Sequence, residues 1–232
     1  HVHLRVVQVG LGLDESGDAV LVLADLVADV FVYGEISRVS REAPVLILSH
    51  RETQLVPGGG ANAVHNLWAL GAKPLPVGIV GDDAEGLQLV EYFRSRGIDT
   101  TGIRKLRSYR TPTKTRILAG AVHSQRQQVL RVDAGTPVKN SNHAQAIRRS
   151  LESRLKHADA VLISDYGYGT VTPTLVSTLG TSRIPVTLDS RFVIGDYKGM
   201  TAATYQHEVD HLDGKLFLDR VEDATSLVTQ EN

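Results

Sequence analysis

Ala19-Val20-Leu21-Val22-Leu23 is an unbroken run of leucine and β-branched residues, the composition of a strand covered on both faces. Similar runs recur at Pro76–Val80, Ala160–Ser164 and Pro185–Leu188. Between them, residues 61–70, 84–96, 143–156 and 172–179 carry apolar side chains three and four apart, which predicts helices. Strand alternating with helix predicts an α/β domain, Rossmann-like, with a mostly parallel sheet flanked by helices. Two regions leave that alternation. Residues 45–56 and 105–132 hold strand-like runs, Val45-Leu46-Ile47-Leu48 and Thr115-Arg116-Ile117-Leu118, with no helical pattern between 105–119 and 127–132. These predict antiparallel hairpins forming a small β-lid, about 30–56 and 104–133, added to the edge of the body. Such lids cover small substrates.

Composition narrows the partners. The 232 residues are 42% hydrophobic and 22% charged, as in ordinary globular proteins. Lys and Arg number 25 against 26 Asp and Glu, so the net charge is −1 and no broad nucleic-acid surface is expected. The absence of cysteine removes disulfides, thiolate ligands and a cysteine nucleophile. The apolar stretch 20–32 is broken by Asp25 and Asp29, so no membrane span is expected. A cytoplasmic setting fits these features. The chain begins with His1 and shows no signal-peptide pattern, so a processed or excerpted chain is expected. Residues 1–18 read as an N-terminal arm: an apolar run through Leu13, then the turn-forming Asp14-Glu15-Ser16-Gly17-Asp18.

Pro57-Gly58-Gly59-Gly60-Ala61-Asn62 lies between a predicted strand and a predicted helix. Three glycines let a backbone approach a ligand with no Cβ in the way. The helix start would offer free N–H groups to oxygen atoms. Asn62 adds a donor and an acceptor. The alternative is a plain glycine loop. It is neither a Walker A loop nor a dinucleotide fingerprint, because Gly-Lys-Ser/Thr and the GxGxxG spacing are both missing.

PGGGAN and the following NLWALGAKPLPVGIVGDDAEG resemble the first signature of the ribokinase-like (PfkB) carbohydrate kinases. LADLVADVFVYG at 23–34, SRVSREAPV at 37–45, TPTKTRIL at 111–118, QQVLRVD at 127–133, VLISDYGYG at 161–169 and PVTLDSR at 185–191 follow in that family's order. The combination is similar to the heptose-7-phosphate kinase branch, including the kinase half of bifunctional ADP-heptose synthesis enzymes. The resemblance spans about 19–204 and implies a ribokinase-type sheet, ATP and Mg²⁺ as cofactors, and a sugar phosphate as small-molecule partner. It implies that Asp25 binds sugar hydroxyls and that Gly58, Gly59 and Asn62 form the sugar loop. Lys114, Arg116 and Arg131 become candidates for the phosphate, since several cations, two able to bind bidentately, suit one dianion. Asp165 and Asp189, at carboxyl ends of predicted strands, fall on the nucleotide side. The β-lid is where a homodimer would form.

The resemblance has departures. Ala24 stands where a Gly is usual, and Tyr168 where a Lys is common. The family's Gly-Ala-Gly-Asp turn, whose helix terminus stabilises the moving phosphoryl group and whose Asp is the base, has no counterpart. Gly17-Asp18, Gly81-Asp82 and Gly195-Asp196 all lack the GxGD form. The C-terminal part of the fold is therefore expected to be truncated and replaced by a foreign helical tail at 205–232.

That tail contains His207-Glu208-Val209-Asp210-His211, an HExxH pattern. On a helix both imidazoles share a face and can hold Zn²⁺, Fe²⁺ or Ni²⁺, with Glu208 placed to activate water. The run 206–221 is similar to the last motif of peptide deformylases. The cysteine that the resemblance implies as a further ligand is missing, and a hydrolytic site needs a third protein ligand. A helical cover over the open sheet edge is the plainer reading. Three functions stay open: a sugar-phosphate kinase scaffold, a metal-dependent deformylase-like hydrolase, and a non-catalytic sugar-phosphate-binding module.

Overall fold

The run at 19–23 becomes the middle of a five-stranded parallel sheet. The computed structural model describes residues 17–120, 126–135, 137, 141–179 and 184–190. Residues 1–16 of the arm and the tail from 205, with His207, Glu208 and His211, lie outside the described residues. Chain order is β1 Ala19–Ala24, β2 Leu26–Val39, β3 Leu46–Gly58, α1 Gly59–Ala69, β4 Lys73–Gly81, α2 Ala84–Arg94, β5 Ile103–Leu106, β6 Thr113–Gly120, β7 Gln127–Ala134, α3 Ser141–Leu155, β8 Ala160–Asp165, α4 Pro173–Leu179 and β9 Val186–Ser190.

The body sheet runs β5-β4-β1-β8-β9, with every pair parallel. Leu21, Val22, Leu23 and Ala24 are fully buried, as the unbroken apolar run requires of a central strand. Val20, Val22 and Ala24 pack with Ala61 and Val64 of α1 and Leu89 and Phe93 of α2. Leu21 and Leu23 alternate to the other face, and α3 contacts β1 and β4. Pro74 and Pro76 are tolerated in β4 because β5 joins that strand only from Gly78 onward, so the missing N–H groups cost no ladder bond on that side.

A second sheet runs β3-β2-β6-β7. It is mixed, where antiparallel hairpins were expected: β2 pairs β6 in parallel, and only the β2–β3 and β6–β7 pairs are antiparallel. The reason is connectivity. The body segments β4, α2 and β5 intervene between β3 and β6, so β6 joins as a crossover strand rather than through a hairpin. The sequence run beginning at Lys105 likewise divides, its first residues joining the body as β5.

The loop that carries the chain into β6 is tied down by Asp83. This residue caps α2 by accepting the Gly86 N–H at 2.8 Å, and it accepts both the Thr111 N–H at 2.8 Å and the Thr111 hydroxyl at 2.6 Å. Burial raises the Asp83 carboxyl pKa, but these three bonds and the Arg110 charge outweigh it, and the group titrates below its ordinary value. A depressed folded pKa contributes stability that is full above the unfolded carboxylate value, about 3.9, and lost as pH falls through the folded value. Asp83→Ala is expected to cost on the order of 2 kcal/mol at neutral pH. In urea denaturation the gap between parent and variant should narrow on acidification; a gap that widens contradicts this assignment.

Candidate functional site

β1 ends where strand order reverses, with β4 on one side and β8 on the other. Ligands of open α/β sheets gather at such switch points. Asp25 is the next residue. Its carboxylate is fully buried and accepts three backbone N–H groups: Tyr166 and Tyr168 at 2.9 Å on Oδ2, and Thr170 at 3.0 Å on Oδ1. Left-handed Gly167 and Gly169 (φ 81 and 89) turn the loop so that alternate amides converge. Burial pushes the Asp25 carboxyl upward, and the backbone bonds only partly offset it, so it stays above its ordinary value. The Asp25 amide binds the Ser164 carbonyl, and the Asp25 carbonyl accepts the Gly60 N–H, both at 3.1 Å. The residue expected to hold sugar hydroxyls is thus placed as a tie between β1, the glycine loop and the 166–170 loop.

The three glycines are explained first by packing. A Cβ on Gly60 would lie 2.5 Å from the Ala24 Cβ, and one on Gly59 would lie 2.8 Å from Val27 Cγ2. A Cβ on Gly58 would lie 2.6 Å from the Asp29 carboxylate carbon. Gly58 is also the N-cap of α1, which has no side-chain cap. The glycines therefore let the start of α1 settle onto β1 and β2 and leave room for the Asp29 carboxylate beside a helix N-terminus, where negative charge is favoured. Asn62 is half-buried in the first turn of α1.

Asp29 is the residue the sequence reading missed. It faces Lys114 across the β2–β6 register and forms an ion pair with Arg116, Oδ1 to Nη1 3.0 Å, with about a fifth of each side chain exposed. The available signal was alternation: residues 29, 31 and 33 of β2 share a face. Arg116 stacks over Phe31, 5.3 Å from guanidinium carbon to ring centroid. Arg131 stands opposite Arg116 in the β6–β7 ladder, and Lys114 opposite Asp133. The three expected cations are therefore on one face of the second sheet. Arg131 is not aimed outward alone; it forks onto Asp133 at 2.7 and 2.6 Å. The hydrogen bonds from Arg131, against the opposing effect of burial and with help from the charges of Arg131, Lys114 and Arg116, hold the Asp133 carboxyl below its ordinary value. Three cations against Asp29 and Asp133 leave one positive charge in excess.

Asp165 and Asp189 sit at the carboxyl ends of the adjacent strands β8 and β9. Asp165 is buried, accepting the Ser190 hydroxyl at 2.8 Å and the Gly167 N–H at 2.9 Å. Asp189 is exposed and accepts the Ser164 hydroxyl at 3.4 Å. The two expected nucleotide-side residues thus lie together at the carboxyl ends of β8 and β9.

The profile of the pfkB family carbohydrate kinases matches residues 27–180. The chain belongs to that family. It is 34% identical over 194 residues to the Bifunctional protein HldE of Helicobacter pylori (strain J99) and 34% identical over 189 residues to that of Wolinella succinogenes. The alignments cover 81% of this chain but only 39% and 38% of those proteins, so the chain spans about two fifths of the length of these curated relatives. The fold is that of the Arabidopsis thaliana ribokinase solved with ribose and ATP (TM-score 0.53, 17% identity, 76% of this chain and 55% of that one). It is equally that of the tetrameric inhibited form of phosphofructokinase-2 from Escherichia coli (TM-score 0.53, 18% identity, 75% and 55%). A polypeptide deformylase profile matches residues 187–226.

Membership of the family implies ATP and Mg²⁺. Among the described residues no group of three or more metal-ligating side chains occurs, and the buried Asp165 carboxylate accepts from Ser190 and Gly167; magnesium carried on a nucleotide's phosphates needs only one or two protein carboxylates. No helix among the described residues is long and apolar enough to cross a membrane.

Proposed function

We propose that residues 19–204 form the sugar-phosphate-binding part of an ATP-dependent carbohydrate kinase of the heptose-7-phosphate branch. The observation that carries this reading is the Asp29–Arg116 pair, seated beside Gly58 and flanked by Lys114 and Arg131 on one face. Asp29, rather than Asp25, accepts sugar hydroxyls, because its carboxylate reaches the surface while that of Asp25 is enclosed. Asn62 supplies a second polar contact from the start of α1. Lys114 and Arg116 take the phosphate. Arg131 joins them by exchanging Asp133 for the phosphate dianion, one bidentate partner for another. The likeness of SRVSREAPV, TPTKTRIL and QQVLRVD to the heptose branch, and the similarity to the bifunctional relatives, support that substrate class. A cytoplasmic setting follows from it.

Phosphoryl transfer by these 232 residues alone is slow on this reading. They contain no GxGD turn, and so lack the base and the helix terminus that this motif supplies in the family, and each such element contributes roughly 10²-fold or more. In calorimetry, Asp29→Asn and Arg116→Ala should each weaken heptose 7-phosphate binding by about 1–3 kcal/mol. Turnover with ATP should stay well below the roughly 1–100 s⁻¹ of working kinases. Unchanged affinity in both variants rejects the site, and kinase-level turnover rejects its incompleteness.

The second sheet also favours a homodimer. Leu130 and Val132 alternate to the face opposite Arg131, pair with Ile117 and Thr115, and are 54% and 48% exposed. An apolar sheet face of this sort is stabilised by covering, and a second copy presents the same face in return. Leu130→Lys combined with Val132→Lys should convert a dimer to a monomer in analytical ultracentrifugation. A parent that sediments as a monomer at high micromolar concentration rules the dimer out.

The deformylase profile over 187–226 favours a second reading for residues 205–232. His207 and His211 bind a divalent transition metal without making a competent deformylase. Two imidazoles hold the ion too loosely to lower the pKa of its water, so Glu208 has nothing to activate. Metal analysis should find substoichiometric Zn²⁺, Ni²⁺ or Fe²⁺, and formyl-Met peptide should remain intact. Stoichiometric metal with deformylation lost in His211→Ala would move the function to this segment.

A further inference from the structure

The 166–170 loop joins the two sheets through a pair of tyrosines. Lys114 of β6 lies over the Tyr166 ring, 5.2 Å from Nζ to the centroid. The same ring lies against the glycine loop, its Cδ2 3.4 Å from where a Gly59 Cβ would stand. Tyr168 packs where the chain leaves β7, its Cε1 3.3 Å from the corresponding point of Gly135. The lid strands that carry the cations thus rest on this loop. The loop in turn hangs on Asp25, through amides 141, 143 and 145 residues away.

We propose that Asp25 is a positioning residue: by holding the 166–170 loop it sets Tyr166, and through it Lys114 and the phosphate-binding face, against the glycine loop. The chemistry demands a carboxylate. Three converging N–H donors need two oxygens that bear no proton. An Asn at this position would turn one NH₂ group toward a donor, leaving buried amides without acceptors, which displaces the loop. Among the described residues no cation pairs with Asp25, so its charge is balanced by backbone dipoles of the loop it orders. Asp25 does not touch the ligand. It acts on it through Tyr166, at the site proposed above, and the proposal rests on that reading only for its effect on affinity.

The test combines NMR of the labelled full chain with calorimetry using heptose 7-phosphate. In Asp25→Asn the Tyr166, Tyr168 and Thr170 amide protons should lose the downfield shift of carboxylate-bound N–H groups. The Lys114 ε-methylene signals should lose the ring-current shift of Tyr166, and affinity should fall about tenfold. Tyr166→Leu should lose a similar factor, and the double variant no more than the weaker single one, because both act along one chain of contacts. A folded Asp25→Asn that displaces the three amides but leaves the Lys114 signals and the affinity unchanged overturns the proposal. So do losses that multiply in the double variant.

Arg116→Ala separates the two ideas. If the parent does not bind heptose 7-phosphate, or if Arg116→Ala and Asp29→Asn both leave its affinity unchanged, the sugar-phosphate reading fails, and Asp25 is judged on the Lys114 signals alone. If Asp25→Asn does not fold, acid titration of the parent replaces it. The three amides and the Lys114 methylenes should move with one midpoint, above the pH at which Asp133, held low by Arg131, takes its proton. Separate midpoints overturn the proposal.

Discussion

A carboxylate withdrawn from water must find its hydrogen-bond donors inside the protein, and Asp25 meets that requirement at the point where the body sheet turns into everything else. Its side chain holds the loop after β8, its carbonyl holds the glycine loop, and its amide extends the ladder to Ser164. Desolvating an ion costs several kcal/mol unless it is satisfied. The loop and the glycines are therefore committed to the geometry that satisfies it. The Tyr rings, the lid strands resting on them and the start of α1 take their positions from this one group.

The second sheet shows how a mixed topology makes a polar face. Parallel pairing of β2 with β6 sets Asp29 beside Lys114 and Phe31 beside Arg116, and antiparallel pairing of β6 with β7 adds Arg131 and Asp133. Hairpins alone would not have brought β2 against β6. Because residues in register share a face, one alignment collects every charged group of the site, and the alternate residues Ile117, Leu130 and Val132 collect on the other side. A sheet with one charged and one partly exposed apolar face presents two chemically different surfaces.

The ion pairs on that face are better read as preparation than as stability. Asp29–Arg116 is mostly buried, and such a pair roughly breaks even against desolvation. The exposed Arg131–Asp133 fork is worth little by itself. What the pairs do provide is orientation. Guanidinium groups already held in plane, over Phe31 in one case, have less freedom left to lose on meeting an anion, which is what the function proposed above would require.

Much of the architecture was legible in the chain. Apolar period marked β1, β4, β8 and β9 and the four helices, because burial of one face or both leaves a local pattern that needs no partner to be read. The glycine run and the three cations were legible as residue types suited to a close approach and a dianion. What alternation could not say was which strand lies beside which. Asp29 was passed over because its importance comes from Arg116, 87 residues later, and from a glycine whose missing Cβ makes room for it. Asp25 stood out by its position at the end of β1, but the amides that its carboxylate accepts lie more than 140 residues away and leave no local pattern. The sequence by itself determined which segments become strand or helix and which residue types are on hand, because those depend on neighbours along the chain. Only the tertiary structure decided whether each carboxylate faces the surface or the backbone, because that is settled by strand register and crossover, and those bring together groups that no local pattern connects.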